Sequence, residues 1–147
     1  MELTKIKQQL TNPEIVGLTI FGEARNQSLD GKVAVGSVIR NRLFSKQNFG
    51  GQTYKDICLA PNQFSCWHEL GDNYEELKRA VILVIDGKIF GNTILRECIF
   101  LGQGIVDNAL RDNVNGALYY RTVKLFKDKP FTVKWSIEIG DHIFYQV

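Results

Sequence analysis

A single carboxylate, Glu23, ends an otherwise apolar helical stripe near the start of the chain. Val16, Ile20 and Glu23 recur at intervals of four and three residues, so they share one face of a helix. This helix is expected to begin at Pro13 with Asn12 as its cap. A carboxyl group packed against apolar neighbours is easier to keep protonated, which suits a general acid for glycosidic bond cleavage. A solvated glutamate at a fraying helix end would produce the same pattern.

Three blocks of sequence around and after this glutamate occur in the same order as in a known protein family. The first is Glu23-Ala24-Arg25 with the stretch 30–42, DGKVAVGSVIRNR; the second is Gln63-Phe64-Ser65; the third joins 116–120, GALYY, to 139–145, IGDHIFY. In these blocks, which span nearly the whole chain, the sequence resembles the SleB/CwlJ cell-wall hydrolases. That family includes spore-cortex-lytic enzymes and relatives in bacteria and phages.

The resemblance implies a lysozyme-like domain that cleaves the MurNAc–GlcNAc β-1,4 bond of peptidoglycan, with Glu23 as the catalytic residue. It also implies lytic transglycosylation, in which the same carboxylate accepts the proton of the muramic C6 hydroxyl and a 1,6-anhydro ring closes. Because this nucleophile is tethered to the substrate, no second carboxylate is required. The residues expected to bind substrate are Arg25, Gln63, Ser65, Trp67, Tyr119 and Tyr120. Arg25 would bind a carboxylate of the polymer or anchor its own loop.

The types of the other binding residues fit a sugar, although each also has a structural explanation. Gln63 and Ser65 offer donors and acceptors for an N-acetyl group or a hydroxyl, or for ordinary loop hydrogen bonds. Trp67 could stack on a sugar ring or pack in the interior. Strand alternation sends Tyr119 and Tyr120 to opposite faces of a sheet, so at most one of them faces a groove.

Three other functions remain open at this level. A hydrolytic muramidase would need a second carboxylate, and the only acid close to Glu23 in sequence is Asp30, which a helix-cap role explains. A cysteine-dependent wall amidase or peptidase would use Cys66 or Cys98 as nucleophile and His142 as base. A non-catalytic wall-binding protein would keep the fold and would not depend on the glutamate.

Composition fits one catalytic domain over residues 1–147, expected to be a monomer. Hydrophobic residues make up 44% and charged residues 23%, which is ordinary for a globular domain, and a net charge of only +2 does not indicate a nucleic-acid partner. With three cysteines that are not spaced as a metal clip and two histidines, neither a metal nor another cofactor is expected. No apolar run reaches the length of a membrane span.

The cysteine count also bears on where the protein is made. An odd number of cysteines and a start without a charged-then-apolar leader predict synthesis in a reducing cytoplasm. The wall would then be reached through a holin pore or from a virion, as for a phage-type endolysin.

The order of elements predicts an α+β fold, mainly helical with a small C-terminal antiparallel sheet. Helices are predicted at 4–9, at 13–24, from Asp30 or Ser28 to 45, at 54–59, and from a cap at Asn73 to 85. Strands are predicted at 118–123, 131–139 and 142–146, joined as a meander. The stretch 88–115 contains several turn signals, among them Gly102-Gln103-Gly104. Within it the sequence predicts only a strand or a helix at 98–101.

Overall fold

The computed structural model describes residues 1–147 and contains seven α-helices and one three-stranded antiparallel sheet. The helices are α1 (Leu3–Gln9), α2 (Asn12–Ala24), α3 (Leu29–Phe44), α4 (Tyr54–Leu59), α5 (Tyr74–Ile85), α6 (Thr93–Val106) and α7 (Val123–Asp128), and a 3₁₀ turn spans Ser65–Trp67. The strands are β1 (Tyr119–Thr122), β2 (Trp135–Ile139) and β3 (His142–Gln146). The predicted fold class, α+β and mainly helical, is confirmed. None of the helices combines the length and the apolar character that crossing a membrane requires.

Side-chain caps determine where α2 and α3 begin. Thr11 accepts a hydrogen bond from the Glu14 N–H, and the Glu14 carboxylate accepts one from the Thr11 N–H, which completes a capping box. Ser28 caps α3 by accepting a backbone N–H of its first turn. The cap predicted at Asn12 is therefore wrong. Of the two residues considered for α3, Ser28 is the cap, and Asp30 lies exposed inside the first turn.

The crossing of α2 and α6 forms the centre of the helical core. A Cβ atom on Gly17 would lie 2.7 Å from the Cα of Ile99, and one on Gly102 would lie 2.3 Å from the carbonyl oxygen of Pro13. Only glycine therefore lets the two backbones approach this closely without displacing one helix. The fully buried side chains around the crossing include Ile15, Leu18, Ile20, Leu95 and Ile105.

Glycines that serve close packing explain why the pattern of residues 88–115 does not reveal α6. Gly102-Gln103-Gly104 has the composition of a turn, yet both glycines lie within the helix. A Cβ on Gly104 would lie 2.8 Å from Leu110, so this glycine too serves a close contact. Since the contact partners are distant in sequence or lie beyond the helix end, local pattern alone could not distinguish packing glycines from turn glycines.

Strand β3 is the central strand of the sheet, because it pairs antiparallel with β1 on one side and with β2 on the other. This order corrects the predicted meander, since β1 pairs with the last strand instead of the next one. Helix α7, which was not predicted, follows β1 and is capped by Thr122. Strand β2 begins at Trp135 rather than at residue 131. Phe144 of β3 is fully buried in the core cluster and so anchors the sheet to the helices.

Candidate active site

Glu23 lies in the last turn of α2, where the buried helix reaches the surface of a groove. Ile20, one turn earlier, is fully buried, whereas Glu23 is half-buried. The residue borders two cavities, a larger one of about 700 Å³ and a smaller one of about 250 Å³. A ligand in either cavity can therefore reach the same carboxyl group.

Three hydrogen-bond donors hold this carboxyl group. The Cys66 N–H donates to Oε2 at 3.1 Å, and the Ser65 hydroxyl donates to the same oxygen at 3.4 Å. The Tyr120 hydroxyl donates to Oε1. Because the first two donors belong to the 3₁₀ turn and the third to β1, the loop and the sheet together fix the direction of the carboxyl group before any substrate arrives.

Gly22 allows the 3₁₀ turn to lie this close to α2. A Cβ atom on Gly22 would lie 2.6 Å from the Cβ and 2.7 Å from the Sγ of Cys66, closer than these atoms can approach. Cys66 is fully buried, so it has little room to move away. The glycine that precedes Glu23 therefore sets the distance between the acid and one of its donors.

Tyr120 remains a donor because it keeps its proton. Burial raises the pKa of Tyr120 well above its ordinary value, and the negative charge and hydrogen bond of Glu23 raise it further. The phenol ring lies 5.4 Å from the ring of Phe144 and 5.3 Å, edge to face, from that of His142, measured between centroids. These contacts hold the hydroxyl against Glu23.

The larger cavity brings together four of the predicted binding residues: Gln63, Ser65, Trp67 and Tyr120. Tyr119 is not among them. Its hydroxyl donates to Gln47, and its ring packs on Tyr145 and Phe49. It borders neither cavity, so the structure does not bring it together with the other predicted binding residues. The alternation of the strand therefore selects Tyr120 for the groove.

Trp67 borders the larger cavity but is a core residue. Only 6% of its surface is exposed, and its Nε1–H donates to the Thr19 hydroxyl at 2.9 Å. Thr19 is itself buried and donates to the Ile15 carbonyl oxygen. Of the two roles expected from the sequence, this burial favours interior packing of Trp67 over stacking on a sugar ring.

Arg42, in α3, also borders the larger cavity, although local pattern gave no reason to place it there. Its Nε–H donates to the Leu118 carbonyl oxygen at 2.8 Å, and its Nη1–H donates to Oε1 of Gln63 at 3.3 Å. The guanidinium lies 5.0 Å from the ring centroid of Phe64 and 5.1 Å from that of Phe49. Burial lowers the pKa of Arg42, but a guanidinium stays charged in proteins.

The smaller cavity has no hydrophobic residue in its lining. Arg25 borders this cavity and not the larger one, and its Nη2–H donates to Oδ1 of Asn73 at 3.1 Å. Asn73 stands before α5 as predicted, but its side chain makes no capping bond because it is engaged here. Arg25 therefore anchors the loop before α5 to the end of α2.

Asp141 is a second carboxylate on the smaller cavity. Gln27 Nε2–H donates to Oδ2 of Asp141 at 3.0 Å, and the Asp141 N–H donates back to Oε1 of Gln27 at 3.1 Å. Strand pairing and the contact with Gln27, not sequence spacing, bring this turn to the cavity that Glu23 borders. No group of three or more His, Cys, Asp or Glu side chains is arranged to hold a metal ion.

The thiols are poorly suited to nucleophilic catalysis. Burial raises the pKa of Cys66 well above its ordinary value, with a further contribution from Glu23, and burial raises the pKa of Cys98 to about 12. Since the thiolate is the nucleophilic form, neither group is activated. Burial lowers the pKa of His142, so its ring is neutral at pH 7. His142 borders both cavities, whereas Cys98 borders neither.

Comparison with known proteins gives a family match and two structural similarities. The family model described as Cell Wall Hydrolase matches residues 26–145. The solved catalytic domain of the germination-specific lytic transglycosylase SleB from Bacillus anthracis is 24% identical, with a TM-score of 0.57, over 92% of this chain and 93% of that one. The catalytic domain of the Bacillus cereus SleB protein is 24% identical, with a TM-score of 0.54, over 92% and 89%. No curated protein sequence matches the chain significantly.

These similarities confirm the predicted lysozyme-like fold and the predicted family. The family match begins at Asn26, just after Glu23, and so includes the donors that contact the acid from the 3₁₀ turn and from β1.

Proposed function

Because the chain belongs to the cell wall hydrolase family, it acts on peptidoglycan, and we propose that it cleaves the MurNAc–GlcNAc β-1,4 bond with Glu23 as the catalytic acid and base. The position of Glu23 carries this proposal. Glu23 lies in the last turn of a buried helix. Its carboxyl group accepts hydrogen bonds from Cys66 and Tyr120, and the residue borders both cavities. The fold shared with a domain described as a lytic transglycosylase supports the transglycosylase form of the reaction.

In this reaction Glu23 first donates its proton to the glycosidic oxygen as the bond to the muramic C1 breaks. The resulting carboxylate then accepts the proton of the C6 hydroxyl, whose oxygen attacks C1 and closes the 1,6-anhydro ring. The donors from Cys66, Ser65 and Tyr120 stabilise the negative charge between these two steps. At the end Glu23 is protonated again, and no water has been consumed.

Hydrolysis is a second candidate reaction, and one observation favours it. Asp141 borders the smaller cavity together with Glu23, and a polar cavity of about 250 Å³ has room for several waters at roughly 30 Å³ each. Asp141 would take a proton from a water that attacks C1, while Glu23 protonates the leaving group. Asp30 borders neither cavity, so Asp141 replaces it as the candidate second carboxylate.

Mass spectrometry of muropeptides released from purified sacculi tests the proposal. Transglycosylation gives muramic ends that resist borohydride reduction and are lighter by one water than hydrolytic products. Release of reducible muramic ends alone would refute transglycosylation and support hydrolysis. Binding of folded protein to sacculi without any release of muropeptides would support a non-catalytic wall-binding protein instead.

A further inference from the structure

We propose that a third cavity, beside α3 and away from the groove, binds an oxyanion of the cell wall through Arg40 and Arg111. The oxyanion is a carboxylate or a phosphate group, and its binding holds the protein on the sacculus. The proposal rests on the membership of the chain in the cell wall hydrolase family, and it does not depend on the reaction at Glu23.

The third cavity is separate from the two that Glu23 borders. It has a volume of about 480 Å³, and it shares no lining residue with either of them. Arg40 borders it from α3, whereas Arg42, two residues later in the same helix, borders the larger cavity. Residues two apart in a helix lie on roughly opposite sides, so α3 separates the third cavity from the candidate active site.

Arg40 is a buried cation without an anionic partner. Three lysine or arginine residues are buried, and they differ in what surrounds their charge. Lys32 donates to the carboxylate of Glu97 at 2.7 Å, and the guanidinium of Arg42 lies over three aromatic rings. Arg40 is only 7% exposed, yet it forms no ion pair and no contact with the face of an aromatic ring. Because buried charges in proteins are normally paired, this guanidinium is suited to pair with an external anion.

Most of the hydrogen-bond donors of Arg40 are not used within the protein. Its Nη1–H donates to the Leu110 carbonyl oxygen at 2.7 Å, and this is the only side-chain hydrogen bond of Arg40. The fully enclosed side-chain atoms that lack a partner belong to Ser37, Asn113 and His142. Since no nitrogen of Arg40 is among them, its unbonded Nε and Nη2 retain contact with solvent. The third cavity, which Arg40 borders, gives an anion access to this side chain.

The loop after α6 adds a second cation to the cavity, and its one acid is already engaged. Arg111 is exposed, borders the cavity and forms no ion pair within the protein. Asp112 also borders the cavity, but its carboxylate accepts the Val114 N–H at 2.8 Å and the Gly116 N–H at 2.7 Å. The Asn41 amide donates to the same carboxylate at 3.3 Å. Asp112 is thus satisfied by its own turn, and two guanidiniums remain for an external anion.

Two guanidiniums favour a charged group with several acceptor oxygens. A guanidinium is a planar fork of N–H donors that matches a carboxylate or a phosphate with two parallel hydrogen bonds. Stem peptides of peptidoglycan carry carboxylates, and polymers attached to the wall carry phosphates. A neutral sugar has no charge to offset that of the buried guanidinium. The site therefore suits the anionic substituents of the wall and not its neutral sugar rings.

Binding of a Glu23→Gln parent protein to purified sacculi measures the site without cleavage. Adding Arg40→Lys keeps the charge and a donor for the Leu110 carbonyl oxygen but loses the fork, so the Kd should rise about tenfold. Adding Arg111→Gln removes an exposed guanidinium and should raise the Kd about threefold. Arg96→Gln is the matched control, since it makes the same charge change at an exposed position of α6 that borders none of the three cavities. It should bind like the parent, and circular dichroism checks each fold.

Two treatments of the sacculi identify the source of the oxyanion. Amidation of the carboxyl groups removes the carboxylates, and hydrofluoric acid removes the phosphate polymers. A treatment that weakens binding of the parent protein but not that of its Arg111→Gln variant assigns the anion to the group removed. Unchanged affinity of the parent after both treatments would overturn the proposal. Parent-like binding of both the Arg40→Lys and the Arg111→Gln variants to untreated sacculi would overturn it as well.

Kinetics of the cleaving protein separate this site from the candidate active site. Arg111→Gln alone should raise the KM for sacculi about threefold and leave kcat near the wild-type value, because the third cavity shares no residue with the groove. A fall of kcat with an unchanged KM would contradict a binding role. Absence of cleavage by the wild-type protein would contradict only the proposed function, and the Kd values measured with the Glu23→Gln parent would still decide the oxyanion proposal.

Discussion

The two cavities that meet at Glu23 differ in their chemistry. The larger one combines polar residues with hydrophobic ones such as Leu3, Leu59, Phe64 and Leu125, whereas the smaller one has only polar residues and a glycine. A sugar ring has apolar faces and polar edges and so suits the larger cavity, while a water or a hydroxyl suits the smaller one. We infer that the first cavity binds the glycan and that the second determines what attacks the anomeric carbon.

The strongest test of this division removes the group that both cavities share. Glu23→Gln keeps the size of the side chain and an acceptor for the Cys66 N–H, but it cannot deliver a proton. Lytic activity should fall by about 10²–10⁴-fold, because this is the usual contribution of general acid–base catalysis. Clearing of a sacculus suspension measures the loss, and thermal unfolding checks the fold. Clearing within a few-fold of wild type would remove Glu23 from the mechanism.

The next largest loss of activity is expected from a substitution in the larger cavity. Tyr120→Phe removes the donor to Oε1 of Glu23 and should lower kcat about 10–100-fold, since hydrogen bonds to charged groups contribute about 1.5–3 kcal/mol. Tyr119→Phe is the matched control, because its hydroxyl bonds to Gln47 on the opposite face of the strand. Equal losses in the two variants would show that the tyrosines act through the sheet and not through Glu23.

A smaller effect is expected when the 3₁₀ turn is pushed away from α2. Gly22→Ala places a Cβ where Cys66 now lies, so the Cys66 N–H moves away from Glu23. We expect about a tenfold loss of kcat and a destabilisation of about 1–3 kcal/mol, as for other overpacked cores. Gly91→Ala is the control, since a Cβ there meets nothing within 4 Å. Full activity in a destabilised Gly22→Ala protein would separate this glycine from catalysis.

Most of the fold could be predicted from the sequence because its signals are local. Helix α2 has Pro13 in its first turn, α4 follows a capping-box sequence at Thr53, and β3 is rich in aromatic and β-branched residues after the break at Gly140-Asp141. Of helix α6 (Thr93–Val106) the sequence predicts only a strand or helix at 98–101, since Gly102 serves a crossing with a helix more than eighty residues earlier in sequence. The strand order likewise depends on pairing over a distance that local pattern does not encode.

The residues of the candidate site also fall into those that local sequence indicates and those that only distant contacts bring to the cavities. Glu23, Gln63, Ser65 and Tyr120 stand in recognisable blocks, and the structure brings them together around the larger cavity. For Trp67 the sequence leaves a core position and a sugar platform open, because an indole suits both equally well, and its burial favours the core. Arg42 and Asp141 stand in the same blocks, but they reach the cavities through tertiary contacts, with Gln63 and Leu118 in one case and with Gln27 in the other. No spacing in the chain could indicate these contacts.

The smallest expected effect distinguishes the two candidate reactions at the smaller cavity. Asp141→Asn keeps an acceptor oxygen for Gln27 but removes the basic carboxylate, so the turn should stay in place. If the C6 hydroxyl is the nucleophile, Glu23 alone donates and accepts the proton. Both the rate of muropeptide release and the fraction of anhydro ends should then stay near those of wild type. Asp30→Asn, at an exposed position of α3, should behave like wild type under either reaction.

The hydrolytic reaction predicts a different result for the same variant. A water in the smaller cavity needs a group to accept its proton, and asparagine cannot accept it at neutral pH. Reducible muramic ends should then fall selectively in Asp141→Asn, while any anhydro ends persist. Because the two products differ in mass by one water, a single chromatographic run of wild type, Asp141→Asn and Asp30→Asn digests measures both. A selective loss of reducible ends in Asp141→Asn alone would make Asp141 the second carboxylate, whereas an unchanged product ratio would leave Glu23 as the only acid that the reaction uses.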